Sequence, residues 1–348
     1  MNPAADDRTP STDTAPTARP QAWSAPRLAV ALLLSTGVLV MLGVSAGADG
    51  WSVDWARDAD LIGAIRLPRS LGAWAAGALL GLAGAIAQGL FRNPLADPYL
   101  LGTAAGAGLG VVLVLAAGGW LGASFGSLGS EGLQRLGLVG AAFAGALVGV
   151  SLTLLFAGGA GRPTVLLLAG VVVGVLLTAV ADLVVLLSPE ALRGKQVFLL
   201  GSTSFLGWSS VVLLVGMLAG ALPAAVRLSR VMDALVLGDA TASSLGVPLA
   251  RSRTLLVMLM ALVTGGAVAQ VGLVAFVGLV APHLVRRSVV VTHGPLLALS
   301  ALAGGALLLA ADVAARRLVA PQELPVGMLT AVVGGLYLLV LLRRRMRA

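Results

Sequence analysis

Apolar residues in this chain fall in long uninterrupted runs, separated by short polar segments rich in glycine and proline. The first run starts at Leu28 and continues to about Gly47, and others cover about 67–90, 99–118, 136–156, 164–187, 209–226, 254–271, 274–291, 295–313 and 325–342. Most approach the roughly 20 residues that carry a helix across a hydrocarbon layer. In lipid only helices and closed barrels satisfy every backbone amide, so the pattern predicts an all-α polytopic membrane protein with ten transmembrane helices. The stretch from 254 to 285 is long enough for one overlong helix, and Gly272 with the charge pattern after it divides it into two spans joined by a tight turn.

Composition supports this. Of 348 residues 58% are hydrophobic and 11% charged, with a mean hydropathy of +0.99, whereas a soluble domain carries about 25% charged residues. Residues 1–26 are rich in Pro, Thr, Ala and Asp without periodicity, a composition unable to bury a core. They are expected to form a disordered cytoplasmic tail, leaving 27–345 as one ten-span domain. The first apolar run is too long for a cleaved signal and is read as the first helix.

A net charge of +8 would suggest nucleic acid in a soluble protein. Here basic residues first report topology: on the ten-span model fifteen of the 23 Lys and Arg fall on one side, which the positive-inside rule makes cytoplasmic, with both termini. Asp49, Asp54, Asp58, Asp60, Glu131, Asp182, Glu190, Asp312 and Glu323 lean to the other side or to the outer helix ends. The 46 glycines recur at small-xxx-small spacing in Gly77/Gly81, Gly102/Gly106/Gly110, Gly145/Gly149, Gly170/Gly174 and Gly216/Gly220, which predicts close backbone packing.

Several chemistries are excluded or disfavoured. Cysteine is absent and the only histidines are His283 and His293, so thiol chemistry and Cys/His zinc sites cannot be built. A phosphate-cradling loop needs G-x-x-x-x-G-K-[ST], but the one Gly-Lys pair, Gly194-Lys195, lacks the earlier glycine and is followed by Gln196. GTAAGAGLG at 102–110 misses dinucleotide spacing and lies within an apolar run. His283 beside Pro282, at a helix end, reads as bonding backbone or capping a helix rather than as a catalytic base, and the one adjacent acidic pair, Asp6-Asp7, lies in the tail. Asp182 and Asp312 sit toward outer helix ends, and the span centres offer mainly Gln88, Gln270 and small hydroxyls. That disfavours a charge relay and suits a large cargo that slides past weakly polar walls.

Three segments stand out. RLPRS at 66–70 places two arginines at the outer start of the second span, where Pro68 suits a first helical turn. FRNPLADPYLLG at 91–102 is a cytoplasmic elbow in which Pro94 and Pro98 prevent a continuous helix. LGDATASSLGVP at 237–248 lies in the longest internal cytoplasmic loop, 228–250, and reads as a short helix. Asp239 is placed to cap its start, Gly246 to end it left-handed and Pro248 to block continuation. With Arg227/Arg230 and Arg251/Arg253 at its ends, it is shaped to be gripped by a cytoplasmic partner.

These segments, with GLVAFVGLVAPHLVRR at 272–287 and ADVAARRLVAPQELPVG at 311–327, resemble the FecCD family in collinear order over about residues 28–345. The resemblance implies a permease subunit of a type II ABC importer in the cytoplasmic membrane, carrying iron-siderophore, heme or cobalamin. It implies a second permease subunit (a homodimer or a paralogue), two ATP-binding cassette subunits and an extracytoplasmic binding protein. The chain would bind no cofactor or metal and no nucleic acid, ATP and magnesium being used by the partner. Arg66, Arg69 and Arg316 match arginines that face the binding protein. Asp239, Ala242, Ser244, Leu245 and Gly246 match the ATPase-coupling segment, with Ser243 where arginine is common. Asn93, Leu95 and Thr164 match cytoplasmic gate positions, with Pro163 in place of the usual hydroxyl residue. GGLYLLVLL at 334–342 replaces a frequent Gly-Ala-Pro start, implying a less kinked last helix. An iron(III)-siderophore is the first expectation for cargo. A secondary carrier working alone is the reading from another class.

Overall fold

In the computed structural model, which describes residues 23–47, 50–51, 58–120 and 131–346, the chain is almost wholly helical. In chain order the helices are α1 (Ala25–Ser45), α2 (Ala59–Phe91), α3 (Thr103–Trp120), α4 (Glu131–Phe156), α5 (Pro163–Leu187) and α6 (Glu190–Leu200). They continue with α7 (Trp208–Val236), α8 (Asp239–Ser244), α9 (Leu249–Val271), α10 (Val277–Ser288), α11 (His293–Arg317) and α12 (Val326–Met346). Among the described residues the one strand pairing is two residues long, Ala46 opposite Trp51 and Gly47 opposite Gly50. Seven helices (α1, α2, α4, α5, α7, α9 and α11) are long and apolar enough to cross a membrane. The shorter apolar stretches Thr103–Gly118 and Val326–Leu341, and the twelve residues of α10, occupy the other three positions that the apolar runs predict.

The bundle is built around α2. Its apolar window is 89% buried, against 11% for α1, so α2 is the axis and α1 an outer stave. Helices α11, α9, α7 and α10 surround it. Small residues make this possible, because lipid supplies no hydrophobic drive for helices to associate and close backbone approach must supply the attraction. A Cβ added at Gly77 would lie 2.4 Å from the Gly304 carbonyl oxygen, one at Gly81 2.2 Å from that of Ser300, and one at Gly84 1.6 Å from that of Gly278. A second seam joins α3 to α4, where a Cβ at Gly106 or Gly110 would lie 2.2 Å from the Gly145 oxygen or 2.1 Å from the Ala141 oxygen. Gly174, Gly216 and Gly220, expected to pack likewise, meet nothing within 4 Å in this chain.

The turn expected near Gly272 is present. Gly272 has φ +69°, and a Cβ there would lie 2.5 Å from the Phe198 oxygen, so glycine is required on both counts. Other boundaries differ from expectation. Helix α7 runs to Val236 rather than ending near 226, so the 228–250 loop shrinks to the segment between α7 and α9 that holds α8. The reason is amphipathic continuation: Ser229, Met232 and Leu235 are buried while Arg227, Arg230 and Val236 face outward, a helical period that outlasts the apolar run. Helix α10 is shorter than the 274–291 run because the residues between Gly272 and Val277 are drawn into tertiary hydrogen bonds, Leu273 N donating to Phe198 O at 2.9 Å and Tyr99 Oη to Val274 O at 2.9 Å. Helix α6 was not expected, being too short and too polar to register as a span; its Lys195 pairs with Asp182 of α5. Ala25 and Pro26, assigned to the tail, already belong to α1, while residues 1–22, Asp49 and Asp54 lie outside the described residues.

Gly84→Ala is expected to destabilise the folded protein by about 1–3 kcal/mol, the range for overpacking, whereas Gly37→Ala, on the open face of α1, should stay within about 0.5 kcal/mol. Thermal unfolding in detergent distinguishes the two; equal midpoints would contradict the backbone contact.

Candidate coupling and docking sites

On the side where basic residues concentrate, α8 hangs between α7 and α9. Gly238, at φ +99°, starts it, and Gly246, at φ +81°, follows its end in the left-handed conformation expected. Pro248 precedes α9. Contrary to expectation Asp239 does not cap α8; it is the first helical residue, and its carboxylate turns to arginines instead. Arg253 Nη2 lies 2.7 Å from Asp239 Oδ1 and Arg92 Nη2 3.6 Å from the same oxygen. The hydrogen bond and charge of Arg253, with the charge of Arg92, hold the Asp239 carboxyl below its ordinary value against a partial burial. This charge is therefore retained at neutral and mildly acidic pH and is lost only as pH falls below the ordinary carboxylate range.

Ala242 is fully buried and anchors α8, while Ser243, Ser244 and Gly246 are exposed and Leu245 is 63% exposed. Val236 and Leu237 are exposed beside it. Helix α7 is fixed to α11 nearby, because Asp233 Oδ1 accepts from His293 N at 3.0 Å and lies 2.6 Å from His293 Nδ1.

The elbow between α2 and α3 is rigid. Arg92 ends α2 at φ +49°, the Asn93 side chain accepts from Leu95 N at 2.9 Å, and Asp97 accepts from Tyr99 N at 2.8 Å. Burial pushes the Asp97 carboxyl up to about 6 despite that bond. Leu95 is exposed, and so is Thr164, which lies in the first turn of α5 after Pro163. The elbow and α5 meet through backbone, a Cβ at Gly170 of α5 being 2.2 Å from Leu100 O.

At the opposite end the three expected docking arginines are not free on an outer rim. Asp312, with no exposed surface, pairs with Arg69 Nε at 3.2 Å and with Arg316. Arg69 also donates to both Glu323 oxygens at 2.9 Å. Arg316 donates to Gly43 O at 2.9 Å and Ser70 Oγ at 3.3 Å. Thr203 donates to Asp312, and Ser204 donates to Glu323 Oε2 at 3.0 Å. Arg66 stands apart, 3.2 Å from Asp58 and bonded to Val44 O at 3.3 Å. Burial drives this departure: an arginine between packed helices needs a counter-charge and filled donors, and Asp312 lies one turn before Arg316 to supply them. Burial raises and Arg69 lowers the Glu323 carboxyl, with Ser204 helping Arg69, and the net displacement is downward.

Asp312, Glu323, Thr203 and Ser204 were not singled out from sequence as members of these sites, and Arg253, named there as a basic end of the short helix, was not expected to pair with Asp239. The i,i+4 spacing of Asp312 and Arg316 carried a signal; the other partners come together only through folding.

The ten-position helical bundle with a short, partly apolar helix between two spans defines a polytopic transport permease. The FecCD transport family model matches residues 28–344, and the chain belongs to that family, as a permease subunit of an ABC importer. It is 38% identical over 282 residues to the hemin transport system permease HmuU of Yersinia pestis, covering 81% of this chain and 82% of that one. It is 36% identical over 339 residues to the ferric enterobactin permease FepD of Escherichia coli, covering 94% and 97%. It is 37% identical over 287 residues to the cobalamin permease BtuC of Halobacterium salinarum, covering 82% and 74%. A solved metal-chelate type ABC transporter in an inward-facing conformation superposes with a TM-score of 0.82 at 28% identity, covering 92% of this chain and 99% of that one.

Asp312→Asn should cost about 3–5 kcal/mol, because it leaves two buried guanidiniums without their shared counter-charge. Glu323→Gln should cost no more than about 1 kcal/mol, since the Glu323 side chain is 43% exposed and solvent screens its pair. Unfolding midpoints in detergent check the order; a larger loss for Glu323→Gln would refute this hierarchy.

Proposed function

We propose that this chain is the permease of an importer that moves an iron(III)-siderophore complex across the cytoplasmic membrane, with ATP-binding subunits docked at α8. The observation that carries the reading is the construction of α8: Ala242 anchors it in the bundle while Leu245 projects away. A large apolar side chain left 63% exposed among the described residues, at the end of a short helix tied to the buried Arg253, suits seating in a cleft of a partner.

The partner subunit supplies ATP and magnesium chemistry, and this chain supplies the path. A second permease, the same chain or a paralogue, completes that path. Exposed apolar residues on α5 and α12, including Leu168, Val175, Met328 and Leu336, offer surface to it and to lipid. An extracytoplasmic binding protein docks at the opposite end, where Arg66 remains the most accessible of the three arginines, while Arg69 and Arg316 hold the rim in shape through Asp312. Asn93, Leu95 and Thr164 form the cytoplasmic gate.

Cargo is the finer part of the proposal. Relatives at similar identity carry hemin, ferric enterobactin or cobalamin in their names, all large metal chelates. Heme or cobalamin is the alternative within the class. A carrier working alone has less support, because the buried charges found at the span ends are paired within the chain rather than left to bind a coupling ion.

Two measurements test the reading. Leu245→Arg should leave membrane insertion unchanged and uncouple ATP hydrolysis from uptake, and coupled transport at the parent rate would sink the docking assignment. The co-encoded binding protein should gain thermal stability from a ferric siderophore; stabilisation by hemin or cobalamin alone would transfer the cargo to that class.

A further inference from the structure

Arg253 is the least exposed arginine among the described residues, at 2%. It stands in the first turns of α9, and its guanidinium reaches two other elements. Nη1 donates to Gly161 O at 2.8 Å, in the turn between α4 and α5. Nη2 donates to Asp239 Oδ1 at 2.7 Å, at the first residue of α8. Arg92, at the end of α2, reaches the same oxygen and donates to Leu235 O at 3.4 Å near the end of α7. Gly161 lies just before Pro163 and Thr164, where α5 begins.

We infer that Arg253 is a positioning residue that ties α8 to the α4–α5 turn, so that displacement of α8 carries the start of α5 and Thr164 with it. The inference rests on the reading of α8 as the ATPase-docking element and adds the route by which that element reaches the gate. Geometry supports it in three ways. Buried guanidinium donors with two acceptors on separate segments hold those segments at a fixed separation, which a flexible loop would not. The planar fork of arginine makes both bonds at once, whereas lysine offers one compact charge. One residue, Arg162, separates Gly161 from Pro163 at the start of α5, and the Arg162 carbonyl already accepts from Leu166 N at 3.0 Å, so little slack remains between Gly161 and α5.

The chain has no cysteine, so a pair of spin labels can be placed at Ala240→Cys on α8 and Val165→Cys in the first turn of α5, both exposed and neither among the docking or gate residues. The complex with its ATP-binding subunits, in lipid nanodiscs, is measured by electron–electron distance spectroscopy without nucleotide and with ATP and vanadate. With Arg253 present the distance between positions 165 and 240 should keep one narrow distribution in both states. In R253M, at retained unfolding midpoint, that single distribution should be lost on adding ATP and vanadate, and R253K should restore it in part. D239A should behave as R253M does, and adding R253M to D239A should cause no further loss, since both remove one interaction.

A narrow distribution retained in both R253M and D239A overturns the inference. If R253M fails to fold, D239A decides alone, because the Asp239 side chain is 43% exposed and its removal empties no core position. If no ATP-binding subunit co-purifies with the parent chain, the docking reading falls. The tie is then judged on the isolated permease: a distance broadened by R253M sustains it, and an unchanged one refutes it.

Discussion

Everything in this bundle depends on how closely the backbone of α2 can approach its neighbours. In water, burial of large side chains drives helices together. In lipid that drive is absent, and attraction must come from contact between polarisable backbones at short range. The row of small residues along α2 gives that contact on more than one side, to α11 through Gly77 and Gly81 and to α10 through Gly84. Because α2 is so fully enclosed, the two ends of the molecule are linked through one stiff element that begins beside the outer arginines and finishes at the cytoplasmic elbow.

Charge is used at both ends of this frame and by the same device. At the outer end Asp312 gathers two arginines from α2 and α11; at the inner end Asp239 gathers two from α2 and α9. Each cluster fastens together elements that are far apart in the sequence. The long apolar middle between the clusters has Gln88 bonded to Leu279 O at 3.1 Å.

Much of this was legible in the sequence, for reasons that can be named. Span positions followed from uninterrupted apolar runs, and Gly272 marked a turn because its backbone conformation and its crowding by Phe198 both demand glycine. The ends of α8 were legible through Gly246 and Pro248. What escaped depended on long-range partners. Asp239 looked like a helix cap because Arg253, fourteen residues later, is invisible to a local reading. Arg69 and Arg316 looked like rim residues because nothing local reveals that Glu323 and Thr203 return to the same spot. Helix α6 and the extension of α7 escaped because a run-based reading stops where hydropathy falls, although the helical period does not.

The brevity of α10 reaches into how the protein is made. Twelve residues of helix are about 18 Å long, short of a bilayer's apolar thickness, and they contain Pro282 and end in Arg286 and Arg287. Such a segment cannot partition into lipid by itself, because the extended backbone between Gly272 and Val277 would enter hydrocarbon unsatisfied. The Leu273 amide and the Val274 carbonyl find partners on α6 and the elbow, both synthesised earlier. During biogenesis α9 and α10 must therefore enter as one hairpin against a scaffold already in place, and chain order, with α2 and the elbow emerging first, provides that scaffold before it is needed.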